Sequence, residues 1–275
     1  MNFSAKIFVL LCFCSQFLHS QSKEIRFLSG KDAEHTKEWD FWVSAGRKSG
    51  NWNKIQVPSH WEQQGFGSYN YGRDYVTYGR NFKFNDETGF YKYQFTVPNS
   101  WKRKTINIVF EGSMTDTEVK INGQLAGEIH QGAFYEFKYD ISDKIQFGKE
   151  NILEVKVSKM SANKSVNNAE RLADYWILGG IFRPVYFEAS PKEHISWTAI
   201  DAKADGTFRS EIHLKGINSA NNIKVELFDA QNNWVGESQV QIQKGDTLKQ
   251  IQFSVKNPKL WTAETPNLYK AKFSL

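Results

Sequence analysis

Cysteine is almost missing from this 275-residue chain, which has two, Cys12 and Cys14. Both lie in a short apolar stretch near the N-terminus, so no disulfide framework is available to the remainder, and a core large enough to need no staples is expected. No apolar run is long enough to span a bilayer; residues 7–14 (IFVLLCFC) are the nearest approach, and they are too short. Charge of one sign is never concentrated. Lys and Arg total 35 against 30 Asp and Glu, for a net charge of +5, and no basic run exceeds Lys102-Arg103-Lys104. Such a surface is solvated and is not the footprint of a nucleic-acid partner. The six histidines (His19, His35, His60, His130, His194, His213) have no ligand spacing, so no metal and no cofactor are expected. G-x-S-x-G, H-E-x-x-H and the Walker loop are all absent, as are internal repeats and low-complexity tracts.

The N-terminus reads as a secretory signal peptide over residues 1–22. A basic start at Lys6 precedes the apolar stretch, and a more polar segment follows with cleavage expected near Ser20 or Ser22. A lipoprotein reading of Cys14 is disfavoured, because bulky Phe13 stands where a small residue is wanted. The predicted location is secreted or periplasmic, with a cysteine-free mature chain of mean hydropathy that stays polar and no membrane span.

Aromatic residues make up 15% of the chain, a richness that suits strands and sugar-facing surfaces better than helices. Residues 31–54 carry charges and three tryptophans with little periodicity and are expected to wrap the outside of a sandwich. Residues 63–88, rich in Gly, Tyr, Asn and Arg, form a long loop whose four tyrosines argue against disorder. From Gly89 onward the pattern alternates: Tyr91, Tyr93, Phe95 and Val97; Ile106, Ile108 and Phe110; Tyr135, Phe137, Tyr139 and Ile141; Leu153, Val155 and Val157. Asn122-Gly123 marks a hairpin. Residues 161–172 read as a polar loop. The predicted fold class is all-β, a jelly-roll β-sandwich over 23–189 followed by an immunoglobulin-like β-sandwich over 190–275. The second unit shows six strands where about seven are wanted, and its last, residues 268–275, ends without a turn or charge behind it, so this domain is expected to be truncated.

Residues 174–183 (DYWILGGIFR) hold an acid, two aromatics and a glycine pair running into a strand. Adjacent glycines permit positive φ and close backbone approach, so a shaped corner is predicted. Asp174 and Trp176 at its rim could bind a sugar, the ring against the indole and the hydroxyls on the carboxylate. The bland reading is a structural turn with Trp176 in the core and Arg183 paired to a carboxylate.

Five stretches carry a resemblance: residues 57–72 (VPSHWEQQGFGSYNYG), 87–91 (ETGFY), 120–123 (KING), 174–183 and 258–269 (PKLWTAETPNLY). In this order they resemble the front end of glycoside hydrolase family 2, in its β-galactosidase branch. The resemblance implies that the first domain is the family's sugar-binding jelly roll and the second its immunoglobulin-like domain. It also implies a retaining mechanism with two carboxylates carried on a (β/α)₈ barrel. No motif of that barrel is in this sequence, so no catalytic residue is assigned and the chain alone is predicted inactive.

By the resemblance, Asp174 matches an Asp that the jelly roll lends to the active site. Trp176, Arg73 and Asp74 complete the predicted substrate-binding set. Arg73 stands where the family lends an Asn, a departure that leaves mannoside or glucuronide beside β-galactoside as the sugar. The implied partner is a carbohydrate substrate, and a homo-oligomer of the full-length enzyme stays open. Two other classes compete: a stand-alone carbohydrate-binding module using Trp61, Trp176 and nearby tyrosines, and a purely structural or adhesive pair of sandwiches.

Overall fold

The computed structural model describes residues 23–79 and 81–275, so the signal-peptide reading and both cysteines lie outside the described residues. The chain begins with β1 (Glu24–Phe27), β2 (Lys37–Val43), β3 (Asn53–Val57), β4 (Asn70–Tyr71), a short helix α1 (Asp74–Tyr78) and β5 (Thr88–Thr96). It continues through β6 (Lys104–Phe110), β7 (Asp116–Ile121), β8 (Gln124–Leu125), β9 (Phe137–Asp140), β10 (Glu150–Ser158), α2 (Lys164–Glu170), β11 (Trp176–Ile177) and β12 (Val185–Pro191). An antiparallel sheet of order β1-β12-β6-β9 faces one of order β3-β2-β5-β10-β7-β8. One continuous apolar core lies between them, with Ile106, Ile108, Phe110 and Phe187 from the smaller sheet against Phe41, Tyr91, Val119 and Val155 from the larger.

Period-2 alternation places those side chains inward. In β10, Leu153, Val155 and Val157 are buried while Glu154 and Lys156 point away. The Asn122-Gly123 turn has φ of 52° and 78°, the doubly left-handed geometry that suits the twist of a two-residue hairpin, and it joins β7 to β8. Two sequence expectations are corrected. Residues 37–43 do not wrap the outside: β2 lies inside the large sheet, paired on both sides, with Trp39, Phe41 and Val43 buried. Its inward residues Trp39, Phe41 and Val43 alternate with outward Glu38, Asp40 and Trp42, and the aromatic Trp42 on the outer face together with the charges hid the pattern. Residues 161–172 are not all loop, because α2 forms there, with the Asn163 side chain accepting a hydrogen bond from the Ser165 N–H at its start.

The second unit has β13 (His194–Ala202), β14 (Thr207–Lys215), β15 (Asn221–Phe228), β16 (Trp234–Ile242), β17 (Leu248–Ser254) and β18 (Lys270–Ser274). Its two sheets, β13-β14-β17 and β16-β15-β18, enclose Phe208, Ile212, Leu214, Ile223, Val225, Leu227, Ile242 and Ile251. Only residues 192 and 193 separate β12 from β13. Among the described residues no helix is long and apolar enough to cross a membrane.

Candidate functional site

Two segments a hundred residues apart meet at one end of the first sandwich. β4 pairs antiparallel with β11, setting Tyr71 opposite Trp176 and Asn70 opposite Ile177. Asn70 is buried, and its amide binds the backbone N–H and C=O of Asn85, which closes the long loop. Beyond β4 the Gly72 N–H donates to the Tyr175 carbonyl at 2.9 Å. A side chain on Gly72 would meet the Ala173 carbonyl at 2.1 Å, so only glycine lets the two strands approach this closely.

The pairing brings the predicted residues together. Arg73 and Asp174, each well exposed, face each other with 4.0 Å between Nη1 and the Asp174 Oδ2. Asp74 is turned to its own backbone, its carboxylate accepting from the Tyr71 N–H at 3.0 Å, so it shapes the start of α1. Trp176 is 57% exposed, which sets aside the reading that placed it in the core. It stands edge-to-face between Tyr69 (5.8 Å) and Tyr71 (5.4 Å), and Arg47 lies over Tyr69 at 5.2 Å. The arrangement is an aromatic platform with a cation and an anion at its edge. Trp61, by contrast, is fully buried and touches no solvent, so it is not available to a sugar. Among the described residues Arg183 pairs with no carboxylate: its guanidinium reaches the carbonyls of Glu111 and Phe134.

Beneath the platform lies a charged network that sequence reasoning missed. Lys159 is fully buried, with its ammonium 2.8 Å from Glu62, 2.9 Å from Glu87 and hydrogen-bonded to the Ser68 carbonyl. Both oxygens of Glu62 accept from the Gly179 N–H, at 3.1 and 3.0 Å. Burial pushes the Glu62 carboxyl above the usual carboxylate range, and Lys159 and the Gly179 N–H oppose that rise. Buried charges persist only when paired and hydrogen-bonded, and here the pairing pins the glycine corner. Gly179 lies flat on the Trp61 indole, where a Cβ would come within 2.1 Å of the ring, and Gly180 adopts φ 116°. Arg171, also fully buried, donates to the Leu178 carbonyl at 2.5 Å and so ties together the two ends of the Asp174 turn. His60 Nδ1 lies 3.3 Å from the Gly179 carbonyl and its ring stacks on Phe182; burial drives its pKa down, so it is neutral near pH 7.

A signal for Lys159 was present. It continues the inward parity of Leu153, Val155 and Val157, so a lysine there had to point into the core and find acids. Among the described residues no cluster of three His, Cys, Asp or Glu side chains is placed to hold a metal ion.

Residues 26–191 match the profile described as glycosyl hydrolases family 2, sugar binding domain, and residues 193–275 match a second profile described as glycosyl hydrolases family 2. The chain belongs to glycosyl hydrolase family 2. Its relatives include a putative beta-glucuronidase of Formosa agariphila, 30% identical over 85% of this chain and 27% of that protein. A beta-galactosidase of Pseudoalteromonas haloplanktis is 30% identical over 82% of this chain and 23% of its own length. The family 2 chain thus spans about a quarter of the length of these curated relatives. Its fold is similar to a Bacteroides uniformis beta-glucuronidase (TM-score 0.68, 20% identity, 92% of this chain and 30% of that one). It is equally similar to a putative beta-galactosidase from Bacteroides fragilis (TM-score 0.68, 20% identity, 90% of this chain and 38% of that one).

Proposed function

We propose that residues 23–275 are the non-catalytic, sugar-contacting front portion of a secreted family 2 glycosidase acting on β-galactosides. In this reading 23–189 is the sugar-binding domain, 190–275 the immunoglobulin-like domain and 1–22 the export signal. The observation that carries it is the β4–β11 pairing, which sets Asp174, Arg73 and Trp176 on one exposed face. An indole beside a carboxylate matches the two faces of a pyranose, apolar C–H on one side and hydroxyls at the edge. The acid/base and the nucleophile of a retaining reaction, about 5 Å apart, are assigned to residues outside 23–275. Asp174 then positions the sugar and leaves the bond-breaking to that pair.

A second reading has one observation in its favour. Arg73 stands where the resemblance implies an asparagine, and a guanidinium can bind a uronate carboxylate through two parallel hydrogen bonds. Asp174, 4.0 Å away, offsets part of that attraction, so galactoside stays the first reading.

The test uses the enzyme in which these residues are joined to a catalytic domain, assayed on matched nitrophenyl galactoside and glucuronide. Asp174→Asn should lower kcat/KM by the loss of one charged hydrogen bond in a dry site, about 2–4 kcal/mol, with melting unchanged. Arg73→Asn should leave the galactoside reaction nearly intact; a selective loss on the glucuronide supports the uronide reading instead. A variant at Asp174 that melts early with normal kinetics shows a structural carboxylate and sinks both. Residues 23–275 alone should hydrolyse neither substrate.

A further inference from the structure

Gly89, near the start of β5, packs on Trp61, and at the opposite end of that strand two cations tie the sheets of the first sandwich together. They cross in opposite directions. Arg26, on β1 of the smaller sheet, donates from Nη1 to the Thr96 carbonyl of β5 at 2.8 Å. Lys37, the first residue of β2 in the larger sheet, donates from Nζ back to the Phe27 carbonyl of β1 at 2.7 Å. Both side chains line a cleft of about 380 Å³, with Tyr93 and Glu150 also on its wall. Tyr93 is held there by stacking on the buried Trp39 at 4.9 Å.

Like charges that share one cleft repel, and nothing close by cancels these. Among the described residues neither cation forms an ion pair, although Glu150 stands on the same wall. Partial burial first, and the Arg26 charge second, hold the Lys37 ammonium below the ordinary lysine value. Each cation spends one N–H on a carbonyl of the opposite sheet. The remaining donors of both have no protein acceptor among the described residues.

We propose that this cleft binds a tetrahedral oxyanion of the sulfate or phosphate kind, free or as a monoester, between the Arg26 guanidinium and the Lys37 ammonium. The donors select that class. A guanidinium fork takes two oxygens in one plane, and an ammonium is a point charge that takes a third from outside it. A tetrahedral oxyanion offers those oxygens together with a charge of about −2, which matches both cations at once. A carboxylate has two oxygens and a single charge, and it leaves one cation unmatched. Glu150 opposes the anion from the wall and keeps the affinity modest. Once bound, the anion staples β1, which lies at the edge of its sheet, to β2 and β5.

The experiment titrates the purified, isotope-labelled chain with sodium sulfate, sodium phosphate, the 6-sulfate and 6-phosphate of galactose, galactose itself and sodium glucuronate. Sodium chloride holds the ionic strength constant, and backbone amide shifts are read residue by residue. Sulfate and phosphate should shift the amides of Phe27, Lys37 and Thr96 saturably, galactose should not, and glucuronate should bind about tenfold more weakly. Arg26→Gln and Lys37→Gln should each weaken sulfate binding about tenfold. Lys54→Gln, at an exposed lysine of β3, should leave it unchanged, and Glu150→Gln should tighten it about threefold. Tighter binding of a galactose ester than of its free anion assigns the anion to a sugar, and the reverse order assigns it to a free ion; both support the cleft. Unsaturable shifts overturn the proposal, as do glucuronate bound as tightly as sulfate and saturation that survives in both cation variants. Where a cation variant does not fold, Glu150→Gln decides, and an unchanged sulfate affinity there also overturns it.

Discussion

In the first sandwich Trp39, Trp61 and Trp101 lie inside a core enclosed by sheets of four and six strands. In the second, Trp197, Trp234 and Trp261 are all exposed, and the core between two three-stranded sheets is mainly aliphatic around Phe208. The charges divide the same way. Glu62, Glu87, Lys159 and Arg171 are buried in the first unit, whereas the described residues of the second bury no charged side chain. Two sandwiches of one chain thus teach how enclosure changes what a core may contain. A wide, closed pair of sheets can hold large rings and a charge network against them; a narrow, one-sided pair holds only what three strands on each face can cover.

Truncating matched rings should make that contrast measurable. Phe110→Ala removes a ring from the closed core, and a cost toward the upper end, about 5 kcal/mol, is expected because its surroundings cannot collapse. Phe208→Ala lies beside an open groove, where neighbours can shift, and should cost about 3 kcal/mol. Denaturant unfolding monitored separately in each unit checks this, and equal losses would break the comparison.

Next in size is the buried network. Lys159→Met strands two carboxylates, Glu62 and Glu87, with no cation, at an expected cost of about 3–5 kcal/mol. Adding Glu62→Gln and Glu87→Gln should recover much of that loss, because neutral amides need no counter-charge. If the triple variant is no more stable than the single one, the lysine acts through packing and not through charge.

The strands were legible because one face is buried, which writes period 2 into β5 and β10. β2 was not, since its outward positions are charged or aromatic and the alternation of Trp39, Phe41 and Val43 reads as disorder until the partners on both sides are known. At the candidate site, Asp174 and Trp176 stood out in the sequence beside the glycine-pair corner and Arg73 through the resemblance, and the β4–β11 pairing sets the three near one another. The Lys159, Glu62 and Arg171 groups beneath them did not stand out, since their roles exist only through partners 72 to 117 residues away or across a folded turn. Only the parity of Lys159 with Leu153, Val155 and Val157 could have flagged it.

The acid limb of stability should be steeper in the first unit, where burial lowers two histidines, His60 and His130, against His194 alone among the described residues of the second. Burial lowers the pKa of His60 and His130 below that of a free imidazole, so the folded state holds them neutral. In the unfolded chain they take up protons below about pH 6.5. The stabilisation is therefore complete above that pH and is lost as pH falls through the window down to the lowered folded values. His60→Gln removes one such proton site, so its melting temperature should fall less than that of the parent between pH 7 and pH 5. Glu62 titrates alike in both proteins and cancels in the difference. Parallel acid limbs would show that the folded protein accepts a charge at His60.

The smallest effect should come from the most visible ion pair. Arg73 and Asp174 are 59% and 64% exposed and 4.0 Å apart, so water screens the attraction and each side chain keeps most of its freedom. A double-mutant cycle with Arg73→Ser and Asp174→Ser should give a coupling of about 0.5 kcal/mol or less, and less again in high salt. The buried pair of Lys159 with Glu62, only a short distance along the same corner, should couple several times more strongly in the equivalent cycle. The sharpest outcome is the split itself: the pair that holds the glycine corner in place governs folding, and the pair on its rim is left free for a ligand. A coupling at Arg73–Asp174 as large as that at Lys159–Glu62 would mean that the exposed pair is part of the scaffold, and the proposed sugar-facing role would then have to rest on Trp176 alone.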